Sequence, residues 1–378
     1  MDRDKFFGLR LKMITLFGLL FLAGSMSLEW ARLYGIPFVG FEGVQYVLKK
    51  NTLDNFSVIA DLQKDNITAW LLERKYDVKA IAANQLLREN LQELSRLRKE
   101  YRKQGKSGEE LWQALSQEPS YKESRNFLHQ AQQVYGNVFH RFTVVDNSTG
   151  FAVVPPHDED YGKKILDARL NSIDLTEGGV FVTIRQCDLI GGAGDFLLAA
   201  PVTGEGARGD EPAKEDELLL VTYVNLGSFL SPMLNAAKGL GRSGEVVLVN
   251  QDQRILTPLK FPLKDGTKPV PLGYTINAEP ARRAASGEEG VLEGRDYRGV
   301  KVLAAYRNIP ISYKESIGMV VKENFDDVFW PVRENLFYSL GVTFLGMLLG
   351  MIAIYLLSSS LVRPIKRMAE VARRAQAG

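Results

Sequence analysis

The sequence predicts an α+β chain in which a long N-terminal helix precedes two successive antiparallel sheets, the whole bracketed by two transmembrane helices. Three observations predict it: two uncharged apolar segments near the ends, a stretch from about Asp54 to Lys103 without Pro or Gly, and short β-rich runs separated by turns beyond Gly136.

The apolar segments come first. Leu336 to Leu357 holds 22 residues without a charge, about 33 Å as a helix and enough to cross the hydrocarbon core. A buried soluble helix is rarely apolar on every face for this length. Met13 to Leu28 is shorter, with Trp30 and Tyr34 placed for the far interface and Arg3, Lys5, Arg10 and Lys12 on the near side. It reads as an uncleaved anchor over 13–34, against the competing reading of a signal peptide cut near Ala23, Ser25 or Ser27. Basic residues before Met13 and at Arg363, Lys366, Arg367, Arg373 and Arg374 place both ends in the cytoplasm. Residues 1–12 are then cytoplasmic, and residues of about 35–335 lie on the far side of the membrane, in the periplasm or at the cell surface.

Between the spans, Ile67, Leu71, Val78 and Ile81, then Leu87, Leu91 and Leu94, recur at helical spacing, which predicts one helix of about 75 Å if unbroken. Ser107 and Glu110 form a capping-box pattern for a short helix ending near Pro119, and another helix covers about Lys122 to Val134. Strands are predicted at Phe139–Val145, Phe151–Val154, Val180–Arg185, Phe196–Val202 and Leu218–Val224, with Gly204 to Glu217 as a hairpin tip. A second unit follows: a hairpin of Glu245–Val249 with Arg254–Thr257, then Gly290–Glu293, Val300–Tyr306 and Ile317–Lys322. The segments divide into 35–103 (linker and long helix), 104–238 (first sheet unit), 239–332 (second sheet unit), 336–357 (second span) and 358–378.

Composition excludes several functions. A net charge of +2 without a basic domain argues against nucleic acid as a partner. The single cysteine, Cys187, permits no intramolecular disulfide and reads as a small buried residue; no histidine stands in a nucleophile signature with it. No catalytic constellation, metal cluster or cofactor motif is present. Gly239 to Gly244 matches G-x-G-x-x-G but leads into a strand rather than a helix, so it reads as a turn. His157 to Asp160 reads as a solvated loop.

After the second span, Leu361, Ile365, Met368, Ala372 and Ala375 are spaced as a heptad seam, and Pro364 sits near the expected helix start, with Gly378 as a terminator. Leu361 to Glu370 resembles the opening helix of a HAMP domain, a dimeric four-helix relay, and covers only its first half. An output module is therefore expected beyond Gly378. Gly346 and Gly350 form a GxxxG pair suited to close helix contact between chains. These two glycines with Leu361, Pro364, Ile365 and Met368 are the expected relay.

The region of about 40–332 resembles the double Cache domain of bacterial receptors. Ile67 to Val78 is similar to the family's long helix, Gly241 to Asn250 to the start of its membrane-proximal sheet, and Gly294 to Pro310 to that sheet's hairpin. The resemblance implies two tandem PAS-like modules with ligand bound in the membrane-distal one. Candidate ligand contacts there are Tyr161, Arg169, Arg185, Asp188, Asp195, Tyr223 and Asn225. Amino-acid-binding members carry a Tyr, an Arg followed by two aromatics, and a later Asp. Arg169 fits the Arg, but Lys164, Asn171-Ser172 and Asn225 stand at the other positions, which favours a carboxylate or other anion over an amino acid.

The function read from the sequence is a signal-transducing receptor, homodimeric and lipid-embedded, that binds an external small molecule. No enzyme activity is expected of this stretch; a histidine kinase is the favoured output, with chemotaxis, cyclase and phosphatase outputs open. The alternatives are a membrane-anchored extracytoplasmic enzyme and a structural module.

Overall fold

The computed structural model describes residues 3–166, 179–185, 195–202, 218–225, 239–312 and 315–376. Cys187, the Gly204–Glu217 tip, Asn171-Ser172 and Gly378 lie outside them. The chain is α+β and divides into two compact units, one of Leu53–Phe325 and one of Met1–Thr52 with Asp326–Gly378.

Helix α1 covers Arg3–Tyr34. After short paired strands β1 (Gly35–Ile36) and β2 (Phe41–Glu42) come α2 (Val44–Ala82), α3 (Gln85–Lys103), α4 (Gly108–Gln117) and α5 (Pro119–Tyr135). The single helix expected over 54–103 is two. It begins at Val44 and breaks at Asn84, whose side chain accepts the Leu87 N–H as an N-cap. The absence of Pro and Gly did not prevent the break, because a capping side chain supplies an alternative partner for the backbone. Beyond it Leu87, Leu91 and Leu94 are buried as one stripe. The capping box does not form: the Ser107 side chain makes no cap bond. Pro119, expected to end a helix, opens α5, where its missing N–H costs nothing.

The first sheet contains β3 (Phe139–Asp146), β4 (Ala152–Val154), β5 (Phe181–Arg185), β6 (Asp195–Pro201) and β7 (Leu218–Asn225). Its order is β4-β3-β7-β6-β5 with antiparallel neighbours. The β3–β4 turn is tied by the Asp146 carboxylate, which accepts from the Ser148 backbone and hydroxyl. Gly150 closes it at φ +74°, with the Leu166 carbonyl where a Cβ would stand; only glycine fits.

The second sheet contains β8 (Glu245–Val249), β9 (Gly290–Arg295), β10 (Lys301–Pro310) and β11 (Ser316–Asn324), in the order β8-β11-β10-β9. Helix α6 (Glu279–Ala285) lies close against β11 because Gly318 presents no side chain to it; an added Cβ would come within 2.7 Å of the Ala285 nitrogen. The strand expected at Arg254–Thr257 is absent, reduced to single bridges at Ile255 and Arg254. Ile255 and Leu256 are both fully buried, and the segment bridges Val249 and Thr275 one residue at a time rather than forming a ladder. The Gly239–Gly244 segment is a turn leading into β8, as its surroundings in the sequence imply.

Helix α2 serves both sheets. Its Trp70 ring lies 6.3 Å from Phe196 on β6. Its Ser57 and Asp61 accept from Arg307 of β10 at 2.5 Å each, and the same guanidinium donates to the carbonyls of Gly290 and Tyr306. Lys75 donates to the Ile311 carbonyl. The two sheets therefore share one splint.

Helix α7 runs without interruption over Phe325–Gln376. Pro364 thus lies in a helix interior, not at a start, which corrects the expected boundary: the apolar segment passes into the basic one with no residue that halts it. Helices α1 and α7 are each long and apolar enough to cross a membrane. Leu345, Leu349, Ile352 and Leu356 are all exposed, as a lipid-facing helix requires. They pair antiparallel: Gly346 and Gly350 meet Phe21 and Phe17 at 3.9 and 3.7 Å, and Gly18 meets Met351 at 3.8 Å, measured from ideal Cβ positions. The GxxxG pair, which permits close helix contact, faces α1 of its own chain, whose two rings fill the space the glycines leave. Further along, the Ser339 hydroxyl donates to Glu29. Leu361, Ile365 and Met368 are on α7.

Replacing Trp70 by alanine removes the ring that joins α2 to the first sheet and should lower unfolding stability by about 3–5 kcal/mol, read from urea denaturation followed by circular dichroism.

Candidate functional site

The first sheet has two unlike faces. Alternation along β6 sends Phe196 toward α2 and Leu197 and Ala199 the other way. On that second face Leu197, Ala199, Val145, Leu219, Val221 and Tyr223 form a buried floor with Leu166, flanked by Ile165 and Phe181. Tyr223 is 6% exposed there. This is an apolar surface with a polar tip at one end.

The register aligns the candidates. Thr183, Leu197 and Tyr223 share one rung across β5, β6 and β7, and two residues further along each strand Arg185, Asp195 and Asn225 share the next. Three residues separated by up to forty positions in the chain thus meet at one sheet end. Arg169 and Asp188 lie outside the described residues. Tyr161 stands apart: its ring is 5.8 Å from Trp112 of α4, and burial pushes its phenol up. Asp160, expected in a solvated loop, is buried; Lys163 at 2.7 Å and Arg141 at 3.5 Å compensate its charge.

Two arrangements carry no obvious sequence signal. Glu315, between β10 and β11, reaches the free edge of β5: its carboxylate accepts from the Thr183 hydroxyl at 2.6 Å and the Ile184 N–H at 3.1 Å. It joins the second sheet to the rung beside Arg185, and a lone Glu in a loop gives no warning of this.

The other is a buried ionic cluster at the end of β11. Lys322 is 2% exposed and lies 2.7 Å from Glu245 and 2.8 Å from Asp296. Arg298 also pairs with Asp296 at 2.7 Å and donates to the Asn324 side chain. Tyr297 donates to Glu245. Burial pushes the Asp296 carboxyl up, but Lys322 and Arg298 outweigh it and hold the group below the ordinary carboxylate range. Burial and the Glu245 carboxylate raise the Tyr297 phenol. A signal existed here: Glu245 and Lys322 are charges at the ends of otherwise apolar strands.

Several solved structures resemble the chain. The periplasmic sensory domain of the Campylobacter jejuni chemoreceptor Tlp1 is 14% identical, with 75% of this chain and 99% of that one covered and a TM-score of 0.46. The ligand-binding domain of the Pseudomonas aeruginosa amino acid chemoreceptor PctC, in complex with GABA, is 17% identical over 72% and 100%, with a TM-score of 0.45. The ligand-binding domain of the Pseudomonas fluorescens chemoreceptor CtaA, in complex with L-isoleucine, is 12% identical over 75% and 97%, with a TM-score of 0.46. No protein-family model and no curated protein matches the sequence. Likenesses of this strength do not assign a family.

Lys322→Ala leaves Glu245 buried without its cation and Asp296 with Arg298 alone, and should cost about 3–5 kcal/mol of stability. Because the folded Asp296 is more acidic than the unfolded one, its contribution is complete above the ordinary carboxylate pKa and is lost as pH falls below it toward the depressed value. Urea midpoints measured against pH should drop in that acidic window, and Lys322→Ala should flatten the drop.

Proposed function

We propose that this chain is the sensing and membrane-crossing part of a transmembrane receptor of the double Cache type. In this reading the two sheets are tandem PAS-like modules, over 104–238 and 239–332, held outside the cell between spans at 13–34 and 336–357. One observation carries it: β11 ends at Asn324 and α7 begins at Phe325, with no linker between sheet and helix. A change in the second sheet is therefore delivered directly to a helix apolar enough to cross a membrane.

The ligand in this reading is a small anion, most simply a carboxylate, over the Leu197–Tyr223 floor. The Arg185–Asp195–Asn225 rung and Arg169 and Asp188 supply its polar contacts. A guanidinium offers the paired donors a carboxylate needs, and an apolar floor with a few convergent polar groups is the ordinary composition of a ligand pocket. Glu315 then links the occupied sheet to the second one. Typical allosteric coupling of about 1–3 kcal/mol suffices to bias α7, and Leu361, Ile365 and Met368 would pass the bias to a partner chain and an output module such as a histidine kinase.

Two measurements test this. Cysteine labelling of intact cells with a membrane-impermeant maleimide should modify a cysteine placed at exposed Lys268 and spare one placed after Leu357. A thermal-shift screen of small carboxylates should find a stabilising compound whose effect Arg185→Ala abolishes. Cytoplasmic protection at position 268 would refute the topology; a stabiliser indifferent to Arg185→Ala would refute the site.

A further inference from the structure

A second cleft, of about 550 Å³, lies between α5 and the β3–β4 end of the first sheet, on different strands from the Arg185 rung. The chain contains three histidines, and all three line it: His129 from α5, His140 from β3 and His157 after β4. Arg125 and Arg141 join them, with Phe142, Pro155 and Pro156 as an apolar wall. No acidic residue is among the lining side chains.

The two arginines are not fully committed. Arg125 pairs with Asp158 at 2.6 Å, but the pair is 37% and 52% exposed, and an exposed pair is weak enough for a ligand to displace. Arg141 stands 3.5 Å from Asp160, whose other oxygen Lys163 holds at 2.7 Å. The Arg141 side chain is 35% exposed, so an anion in the cleft can reach it. The wall also holds two buried atoms without a hydrogen-bond partner, His140 Nε2 and Gln132 Oε1. Buried polar atoms of this kind are normally paired.

We propose that this cleft is a second ligand site, specific for a small organic carboxylate whose charge meets Arg125 and Arg141 and whose body rests on Phe142 and the proline pair. A metal ion does not suit it: two guanidiniums repel a cation, and among the described residues no three His, Cys, Asp or Glu side chains converge to hold one. The apolar wall favours an organic anion over an inorganic one.

The histidines give the site a pH dependence. The groups facing His140 are Arg141 on its own strand, Arg125 and His129 from α5, and His157, with Asp158 and Asp160 just beyond. Burial and the Arg141 charge hold the His140 imidazole below its ordinary value. An anion in the cleft offsets the Arg141 charge and favours the imidazolium, so binding takes up a proton and tightens as pH falls through the histidine range.

The test is isothermal titration of the full chain in nanodiscs with citrate and with benzoate, at about pH 6 and about pH 8, the range over which histidine titrates. At least one compound should bind saturably and more tightly at the lower pH, with proton uptake seen as a buffer-dependent heat. Arg125→Ala, at an exposed position that tolerates truncation, should weaken binding about tenfold, as loss of a charge-assisted contact does; His140→Gln should remove the proton uptake. Arg185→Ala should leave this binding intact. Absence of saturable binding by either compound, or binding lost in Arg185→Ala and retained in Arg125→Ala, overturns the proposal.

Discussion

The architecture between the apolar helices depends on α2 being shared. A single helix offers Trp70 to the first sheet and Ser57 and Asp61 to Arg307 of the second. The Arg307 side chain is 7% exposed, and a guanidinium buried to that extent is tolerable only when its donors are used. Here they go to Asp61, Ser57 and two strand carbonyls. The ion pair fixes where the helix lies on the second sheet; the aromatic contact fixes where it lies on the first.

Two further links reinforce that splint, at very different cost. Glu315 satisfies an edge N–H and a hydroxyl of β5, donors that a sheet edge would otherwise present to water or to another chain. It is a single part-buried side chain holding two hydrogen bonds. The Lys322 cluster is different, because its charges have left water almost completely. Such a group gains little net stability over an apolar replacement, yet breaking it is expensive. The buried cluster lies on β11, the strand that precedes α7 in the chain, and the Glu315 contact lies beside the Arg185 rung.

Much of this was legible in the sequence. Continuously apolar strands such as Leu218–Asn225 and Glu245–Val249 declare themselves by their β-branched and aliphatic residues, and the two apolar helices by length alone. Helix boundaries were less legible: one Asn side chain at position 84 divides a run that periodicity reads as continuous. Arg254–Thr257 has β-forming residues, yet it makes only isolated bridges to Val249 and Thr275, a matter of pairing that residue type does not declare. At the candidate site, Arg185, Asp195, Tyr223 and Asn225 could be nominated as polar residues near strand ends, while their alignment into rungs is a property of register. Glu315 and the cleft lined by two arginines and three histidines were illegible, since each joins residues whose separation in sequence carries no periodic signal.

Hydrogen exchange tests the splint most directly. Arg307→Met removes the buried ionic tie between α2 and the second sheet, leaving the Lys64 and Lys75 contacts, without touching the first. If one helix holds both sheets, amide protection should fall together in β10–β11 and in β6–β7, with a common change in opening free energy. Loss confined to β10–β11, with β6–β7 exchanging as before, would mean that the sheets are independent and that no signal passes between them through α2.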